Sequence, residues 1–394
     1  MKKRKKVVLL LIDGLGDEIL NKKTPLKEAY KPNFDFLAAN GLTGQLNLIP
    51  KTQLPETHIA VTSLLGFNPS RYYLKRGPIE AVGAGIPLEG DFLALRANFA
   101  TIDESGRIID RRAGKDAFGL SEIARSINKE VDIGVKFIFL RTAAHRAVLV
   151  LKEKLSDKIE GNDPLKVGKL PKEIKPLEKT PLAALTARIL QDFIEKSHEI
   201  MQYHQVNYER ISKGLLPVNY ILLRGAGNKL PRLPNFVRKW KIRKSIFVGE
   251  VGAAKGIAML SGFDSLVYVS RGSRDINYVF ERISDLLSEY DFIFAYIKSV
   301  DEASHEGDFE KKKKLIEEID SRLEEFKSFE GILIITSDHI TSTKRREHLH
   351  GPVPLLVYGV KKKDKVKSFD EMTVRKGKLK NCTPSKLWKL VLGG

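Results

Sequence analysis

The stretch at residues 7–13 reads VVLLLID, an apolar run that ends directly at a carboxylate, Asp13. The same pattern returns at 292–301, FIFAYIKSVD, and at 332–339, ILIITSDH. Short continuous apolar runs of this kind are typical of strands that are buried on both faces of a parallel sheet. Because ligand sites in open α/β sheets lie just beyond the carboxyl ends of the strands, the three runs predict acidic side chains gathered at one edge.

The alternation of such runs with helical patterns predicts an α/β core that has a largely parallel sheet and helices on both of its faces. The middle of the chain is richer in β-like segments, and its loops carry Gly, Asp and Pro, as in GNDPLKVGKLP. We therefore assign the core to 1–89 and 182–394, and a smaller inserted α+β domain to 90–181. A further apolar run at 220–223, which is followed by Arg224, is assigned to the core.

The sequence predicts one helix in detail, after Asp301. Its apolar residues recur at helical spacing and share one face: Leu315, Ile316, Ile319, Leu323 and Phe326. The lysine run at 311–314 is predicted to lie on the solvated face of this helix.

The composition limits the class of protein. The chain has 394 residues, a formal net charge of +19 and a single cysteine, Cys382, which excludes intramolecular disulfides and cysteine-rich zinc modules. The basic start MKKRKK leads into a short apolar run without a cleavage site, and no run approaches the roughly 20 residues of a membrane span. We expect a cytoplasmic protein that does not bind membranes. The basic residues are scattered, which favours solubility or an anionic small substrate over specific nucleic-acid binding, and the oligomeric state stays open.

Residues of metal-binding types follow the predicted strand ends: Asp13, Asp301, His305, Asp338, His339 and His348. Asp301 and His305 are four residues apart, which places them on one face of a helical turn. A mixture of carboxylates and imidazoles suits Mn²⁺ or Zn²⁺ better than Ca²⁺. The pattern predicts a two-metal site, a device that serves in-line phosphoryl transfer.

The following motifs occur in order along the chain: IDGLGDE, RGPIEAVGAG, IIDRRAGK, HRAVLVL, NDPLKVGKLP, NYILLRGAG, IKSVDEASHEGDFEKK, TSDH and EHLHGPVPLLVYG. In these motifs the sequence resembles the archaeal-type, cofactor-independent phosphoglycerate mutase family of the alkaline phosphatase superfamily, over almost its whole length. The resemblance implies an alkaline-phosphatase-like core with an inserted substrate-binding or lid domain. It also implies an isomerase of glycolysis and gluconeogenesis that interconverts 3-phosphoglycerate and 2-phosphoglycerate through a phosphoenzyme, independently of 2,3-bisphosphoglycerate.

The resemblance also divides the metal-binding residues into two sets. The first set, expected to bind one ion, is Asp13, Asp338 and His339. The second set, expected to bind the other ion, is Asp301, His305 and His348. The implied cofactors are two divalent ions, with Mn²⁺ preferred and Zn²⁺, Co²⁺ or Mg²⁺ as alternatives.

The family nucleophile is a serine shortly before a motif that reads LGFNP at 65–69 here, and counting back places Thr57 at its position. Pro55 precedes an apparent helix start, so Thr57 is expected near a helix N-terminus, where phosphate is favoured. The alternative is that Thr57 only caps the helix.

The sequence departs from the family pattern around this nucleophile. His58 stands where the family has an acidic residue, Glu56 replaces a glycine, and Val61 replaces a histidine. The departures leave three outcomes open for the activity: preserved, altered or lost. His58 is a candidate to take over a ligand or acid–base role.

The resemblance assigns an anion-binding role to a set of basic residues: Arg111, Arg112, His145, Arg146, Arg224 and Lys298. Arginine suits this role because its guanidinium binds carboxylate and phosphate with two parallel hydrogen bonds. Arg76 and Glu80, in RGPIEA, are further candidates.

Two other functions stay open at this stage. One is a metal-dependent phosphatase or phosphodiesterase of the same superfamily. The other is a non-catalytic paralogue that binds a metabolite or, given the net positive charge, RNA.

Overall fold

The computed structural model describes residues 5–266 and 275–393. These residues form two compact units. The first is drawn from Met1–Tyr72, Leu233–Glu250 and Ile257–Gly394, and the second from Tyr73–Arg232 and Val251–Gly256. The second unit is therefore wider at both ends than the predicted inserted domain of 90–181.

Within the described residues the strands are β1 (Val7–Ile12), β2 (Leu42–Leu46), β3 (Leu93–Ile102), β4 (Ile108–Asp110), β5 (Phe137–Arg141), β6 (Arg146–Leu151), β7 (Ile159–Glu160), β8 (Lys175–Pro176), β9 (Tyr220–Gly227), β10 (Ser245–Val248), β11 (Asp264–Ser265), β12 (Phe292–Ile297), β13 (Ile332–Thr336), β14 (Ile340–Ser342), β15 (Glu347–Leu349), β16 (Val353–Tyr358) and β17 (Lys380–Cys382).

The α-helices of the same part of the chain are α1 (Pro25–Glu28), α2 (Pro32–Ala39), α3 (Thr57–Leu64), α4 (Arg76–Gly83), α5 (Leu120–Glu130), α6 (Pro181–Gln202), α7 (Gln205–Ser212), α8 (Phe236–Lys239), α9 (Ala253–Leu260), α10 (Asp275–Leu286), α11 (Ser299–Glu306), α12 (Phe309–Arg322) and α13 (Pro384–Leu392). No helix among the residues described combines the length and the apolar character needed to cross a membrane.

The first unit is built on an eight-stranded sheet with the order β11-β10-β12-β1-β13-β16-β2-β17. All its pairs are parallel except those that β16 makes with β13 and β2. This confirms the predicted α/β class with a largely parallel sheet. Strand β1 lies between β12 and β13, so the three strands that precede the predicted ligands are direct neighbours.

Both faces of this sheet are covered, which explains the continuous apolar runs. On one face Val8 and Leu10 of β1 pack in a core with Phe280 of α10 and Ile316 of α12. On the other face the ring of Phe292 in β12 lies 5.9 Å from Phe236 of α8 and 5.8 Å from Trp388 of α13.

The second unit contains a five-stranded antiparallel sheet in which β3 pairs with β4, β6 and β9, and β6 pairs with β5. The assignment of 220–223 to the core was wrong, because β9 hydrogen-bonds to β3 with Phe99 opposite Ile221. Helix α6 also belongs here, since Phe193 packs in one core with Phe99 and Leu149. These pairings extend the second unit beyond 90–181. The prediction failed because the sequence of an apolar strand does not indicate which sheet the strand joins.

Helix α12 corrects the assignment of the lysine run. The predicted apolar face is buried, but Lys312 is buried with it and is 0% exposed. Its Nζ donates to Asp17 Oδ2 at 2.9 Å and to the carbonyl oxygen of Thr341 at 3.2 Å. Lys312 lies four residues before Ile316, so helical geometry places it on the buried face, where the ion pair with Asp17 compensates its charge.

Candidate active site

The carboxyl edge of the main sheet gathers the residues predicted to bind metal ions. Asp13 directly follows β1, and Asp338 and His339 follow β13 within two or three residues. Asp301 and His305 lie on α11, which begins directly after the residue that follows β12, and His348 lies on the short strand β15. The edge of three adjacent parallel strands therefore brings the ligand types together.

The first predicted set forms a compact group. His339 Nε2 lies 3.4 Å from Asp13 Oδ1 and 3.1 Å from Asp338 Oδ2. The three side chains have ligand atoms within 4.8 Å of one another and are all buried.

The second predicted set adjoins the first. His348 Nε2 lies 3.3 Å from Asp301 Oδ1 and 2.9 Å from His305 Nε2. His305 Nε2 is 3.6 Å from Asp301 Oδ1. The rings of His339 and His348 stack with their centroids 3.8 Å apart, so the two sets form one continuous cluster.

Each of the three histidines has its Nδ1 turned away from the cluster and held by an oxygen acceptor. His305 Nδ1–H donates to the carbonyl of Arg346 at 2.8 Å, and His348 Nδ1–H donates to the carbonyl of Pro55 at 2.6 Å. His339 Nδ1–H donates to Thr341 Oγ1 at 3.1 Å. The Nε2 atoms consequently face inward. This is how metal-binding histidines are oriented, with the second nitrogen fixing the tautomer.

The cluster has an excess of buried negative charge. Lys298 Nζ donates to Asp13 Oδ2 at 2.8 Å and to Asp301 Oδ2 at 3.1 Å, and the hydroxyl of Tyr296 donates to Asp13. Burial raises the pKa of Asp338 well above its usual value, and the charges of Asp13 and Asp301 raise it further. One lysine thus faces three carboxylates, an imbalance that bound cations would relieve.

The inward-facing atoms fit divalent metal ions. Asp13 Oδ1, Asp338 Oδ2 and His339 Nε2 are buried and make no hydrogen bond within the described chain. Buried polar atoms without partners are rare, and these three converge on one point. Burial lowers the pKa of His339 to about 3, so its imidazole is neutral and able to act as a ligand. Carboxylate and imidazole donors in this mixture suit ions such as Mn²⁺ or Zn²⁺.

Thr57 is the first residue of α3, and the preceding residue, Glu56, occupies the N-cap position. Thr57 therefore lies in the first helical turn and does not cap the helix. It is buried, with 7% exposed. The hydrogen bond from His348 to the carbonyl of Pro55 ties the chain just before Thr57 to the second ligand set.

His58 belongs to neither ligand group found among the described residues. Its Nδ1 lies 3.2 Å from Glu56 Oε2, so the two unusual residues beside Thr57 form an ion pair with each other when His58 is protonated.

The predicted anion-binding residues are divided between the units. Lys298 lies in the cluster of carboxylates and histidines of the first unit. The others lie in the second unit. There four arginines lie near His145, namely Arg96, Arg111, Arg112 and Arg146, and Arg76 and Arg224 join this cluster beside Arg96. Burial lowers the pKa of His145 well below its usual value, and the neighbouring arginines lower it further, so this histidine is neutral.

Two buried carboxylates, Asp163 and Glu80, interact with four of these arginines. Asp163 accepts two hydrogen bonds from Arg111, at 2.9 and 2.6 Å, and lies 3.9 Å from Arg224 Nε. Glu80 accepts from Arg76 Nε at 2.6 Å and lies 3.4 Å from a terminal nitrogen of Arg96.

The backbone beside this cluster adopts an unusual conformation. Ala113 follows Arg112 and Ala144 precedes His145, and these two alanines have φ of +47° and +45°. Left-handed backbone at residues other than glycine is uncommon and clusters at functional sites. The strain therefore marks the two segments that carry Arg112 and His145.

Sequence reasoning missed several residues of both clusters. Tyr296 and Thr341 carry no metal-binding side chain type, and Tyr296 lies inside an apolar run. Arg96 was the one with a usable signal, because it is a lone charge in the apolar strand β3. Asp163 lies in the quoted NDP motif but reads there as a loop residue.

Comparisons with known proteins agree with this architecture. A family model described as 2,3-bisphosphoglycerate-independent phosphoglycerate mutase matches residues 38–207. A protein of that name from Archaeoglobus fulgidus is 37% identical over 386 residues, covering 95% of this chain and 94% of the relative. Its counterpart from Thermoplasma volcanium is 39% identical over 391 residues, covering 96% and 94%.

Solved structures give the same result. The cofactor-independent phosphoglycerate mutase of Thermoplasma acidophilum is 34% identical, covers 98% of both chains and superposes with a TM-score of 0.62. A protein from Pyrococcus horikoshii is 29% identical, covers 95% of this chain and 93% of its own, and has a TM-score of 0.75. Shared sequence over nearly the full length leads to one assignment: this chain belongs to the 2,3-bisphosphoglycerate-independent phosphoglycerate mutase family.

Proposed function

We propose that this chain is an isomerase that interconverts 3-phosphoglycerate and 2-phosphoglycerate by two successive phosphoryl transfers through Thr57. The observation that carries the proposal is the cluster of three carboxylates and three histidines at one sheet edge, joined through His348 to the chain entering α3. Thr57 begins that helix, so its hydroxyl and the helix N-terminus belong to the same site.

Two divalent ions, preferably Mn²⁺, would occupy the cluster. The first set, Asp13, Asp338 and His339, would hold one ion. The second set, Asp301, His305 and His348, would hold the other. Bound ions supply the positive charge that polarises the phosphoryl oxygens and favours ionisation of the nucleophile.

The first transfer moves the phosphoryl group to the enzyme. The Thr57 oxygen attacks phosphorus in line, the Oγ–P bond forms as the bond from phosphorus to O3 of the substrate breaks, and the hydroxyl proton ends on O3. Lys298 lies between the two ligand sets and adds positive charge where the phosphoryl oxygens bind. The N-terminal turn of α3 favours the same negative charge.

The second transfer returns the phosphoryl group to glycerate. The 2-hydroxyl oxygen attacks the phosphothreonine, the Oγ–P bond breaks, and the hydroxyl proton of glycerate returns to Thr57. Glycerate must stay bound between the two transfers, since water would otherwise hydrolyse the phosphoenzyme. We assign the binding of its carboxylate to the arginine cluster around His145, which makes the second unit the substrate-binding domain.

The test is an assay of purified protein with 3-phosphoglycerate, in which 2-phosphoglycerate and free phosphate are both measured. We expect 2-phosphoglycerate to form, activity to disappear after exhaustive EDTA treatment, and Mn²⁺ to restore it. Release of free phosphate without 2-phosphoglycerate would instead make the protein a phosphatase, an outcome that the changed residues Glu56, His58 and Val61 make worth measuring. Activity that survives EDTA would overturn the metal-dependent mechanism.

A further inference from the structure

The hydroxyl of Thr341 joins the two ligand sets. Thr341 lies on β14, is 0% exposed and is not itself a metal-binding residue type. Its Oγ1 accepts a hydrogen bond from His339 Nδ1–H at 3.1 Å and donates one to Asp301 Oδ1 at 2.9 Å. His339 belongs to the first set and Asp301 to the second, so one oxygen orients a ligand of each ion.

The backbone of Thr341 is fixed on three sides. Its N–H donates to the carbonyl of Gly16 at 3.0 Å, and its own carbonyl accepts from the buried Lys312 at 3.2 Å. In the pairing of β14 with β15, Thr341 stands directly opposite His348. Thr341 is thus linked to the loop that follows Asp13, to Asp301 and to the strand that carries His348.

The loop after β1 leaves room for the hydroxyl. Gly14 has a φ of +64°, and a Cβ placed on it would lie 2.8 Å from Thr341 Oγ1 and 3.1 Å from the Cβ of Asp301. A side chain at this position would displace the hydroxyl from its two partners. The glycine therefore serves the approach of Thr341 to Asp301 as well as the turn.

We propose that Thr341 is a positioning residue that couples the two metal sites, because its hydroxyl simultaneously fixes the tautomer of His339 and the orientation of Asp301. This inference rests on the two-metal function proposed above. Outer hydrogen bonds of this kind change metal affinity by about 10- to 100-fold. Loss of the Thr341 hydroxyl consequently weakens the binding of both ions. Loss of a group that hydrogen-bonds to the ligands of one set weakens the binding of one ion only.

The test is calorimetric titration of the metal-free full-length protein with Mn²⁺, combined with electron paramagnetic resonance to count the bound ions. Wild type is expected to bind two Mn²⁺ per chain. Thr341→Val is expected to lower both affinities about 10- to 100-fold, and Thr341→Ser to restore them. Tyr296→Phe, which removes a donor to Asp13 alone, is expected to lower one affinity only.

A matched control separates this effect from a general loss of stability. Thr186 in the second unit is also 0% exposed, and its hydroxyl also accepts one hydrogen bond, from Ser156 N–H at 3.0 Å, and donates one, to the carbonyl of Leu182 at 2.7 Å. Thr186→Val is expected to lower the melting temperature of the metal-free protein about as much as Thr341→Val while leaving both Mn²⁺ affinities unchanged.

The outcomes are distinguishable. Two Mn²⁺ bound by Thr341→Val with wild-type affinities, or a loss confined to one ion, would overturn the coupling role and leave the proposed function intact. Failure of wild type to bind two ions would overturn the two-metal function, and the coupling role with it.

Discussion

Thr57 is the residue on which the proposed covalent chemistry depends. Thr57→Ala is expected to lower kcat by several orders of magnitude, because the attacking oxygen is removed, whereas Thr57→Ser keeps that oxygen and loses only a methyl group. Rapid quenching with labelled substrate, followed by mass spectrometry, is expected to find the phosphoryl group on the peptide that contains Thr57.

The neighbouring hydroxyls provide the controls for this prediction. Thr62 is fully buried and its hydroxyl donates to the carbonyl of His58 at 2.7 Å, so it is already engaged inside α3. Ser63→Ala is expected to keep near-normal turnover. A phosphoryl group on Ser63 or on a histidine, or an active Thr57→Ala variant, would contradict the role of Thr57.

At the same scale, the sequence indicates the ligand types better than the groups that orient them. Asp13 and Asp301 could be predicted because carboxylates that follow several apolar strands of one parallel sheet meet at the same edge. The role of Thr341 could not be predicted, because it depends on hydrogen bonds to two side chains, His339 and Asp301, that only the structure brings close. The inward direction of the Nε2 atoms of His305 and His348 likewise depends on backbone carbonyls, which every residue has.

Helix α4 and strand β3 together hold a buried charge cluster. Arg76 and Glu80 are four residues apart on α4, and Arg96 on β3 approaches the same carboxylate. Burial acts to raise the pKa of Glu80, but the charges of Arg96 and Arg76 outweigh it and lower the pKa from 4.5 to about 2. A carboxyl whose pKa is lowered by folding stabilises the protein above its unfolded pKa, and this contribution is lost as the pH falls towards the folded pKa.

Glu80→Gln is therefore expected to lower the free energy of unfolding by about 3 kcal/mol at pH 7, since a pKa unit corresponds to about 1.4 kcal/mol. The gap between variant and wild type is expected to narrow as the pH falls from 4.5 towards 2, where Glu80 of wild type becomes protonated. Urea denaturation at a series of pH values measures both effects.

The matched control is Glu173→Gln, because Glu173 pairs with Lys175 on the exposed surface. Screening by solvent makes such pairs weak, so this variant is expected to follow the wild-type curve. A gap for Glu80→Gln that stays constant with pH would show that packing, and not charge, accounts for its loss of stability.

At the scale of the element, the buried face of a helix followed from periodicity where the helix packs on one core. The apolar face of α12 is an example, and Lys312 shows the limit of that reasoning. Its place on the buried face follows from helical geometry, but its burial depends on Asp17, which is distant in sequence and carries no signal of the pairing.

At the scale of the whole molecule, the division into units was harder to predict than the class of fold. A strand such as β9 reads the same whether it joins the main sheet or the second one, and only its hydrogen bonds to β3 decide. The consequence for function is that the cluster proposed to bind metal ions and the arginine-rich cluster lie in separate compact units. Each cluster can therefore be disabled without direct damage to the other.

Arg112→Ala and His145→Ala test this separation. Each removes a group of the arginine cluster, and hydrogen bonds to charged groups contribute about 1.5–3 kcal/mol, so kcat/KM for 3-phosphoglycerate is expected to fall about 10- to 100-fold. Mn²⁺ stoichiometry and affinity are expected to match wild type, because the proposed ligands lie in the first unit.

Arg107→Ala is the control, since Arg107 is an exposed arginine of the second unit that donates to the carbonyl of Gly168. It is expected to leave both turnover and metal binding unchanged. Loss of bound Mn²⁺ in Arg112→Ala or His145→Ala would mean that the second unit takes part in holding the metal ions, and the assignment of separate roles to the two units would be wrong.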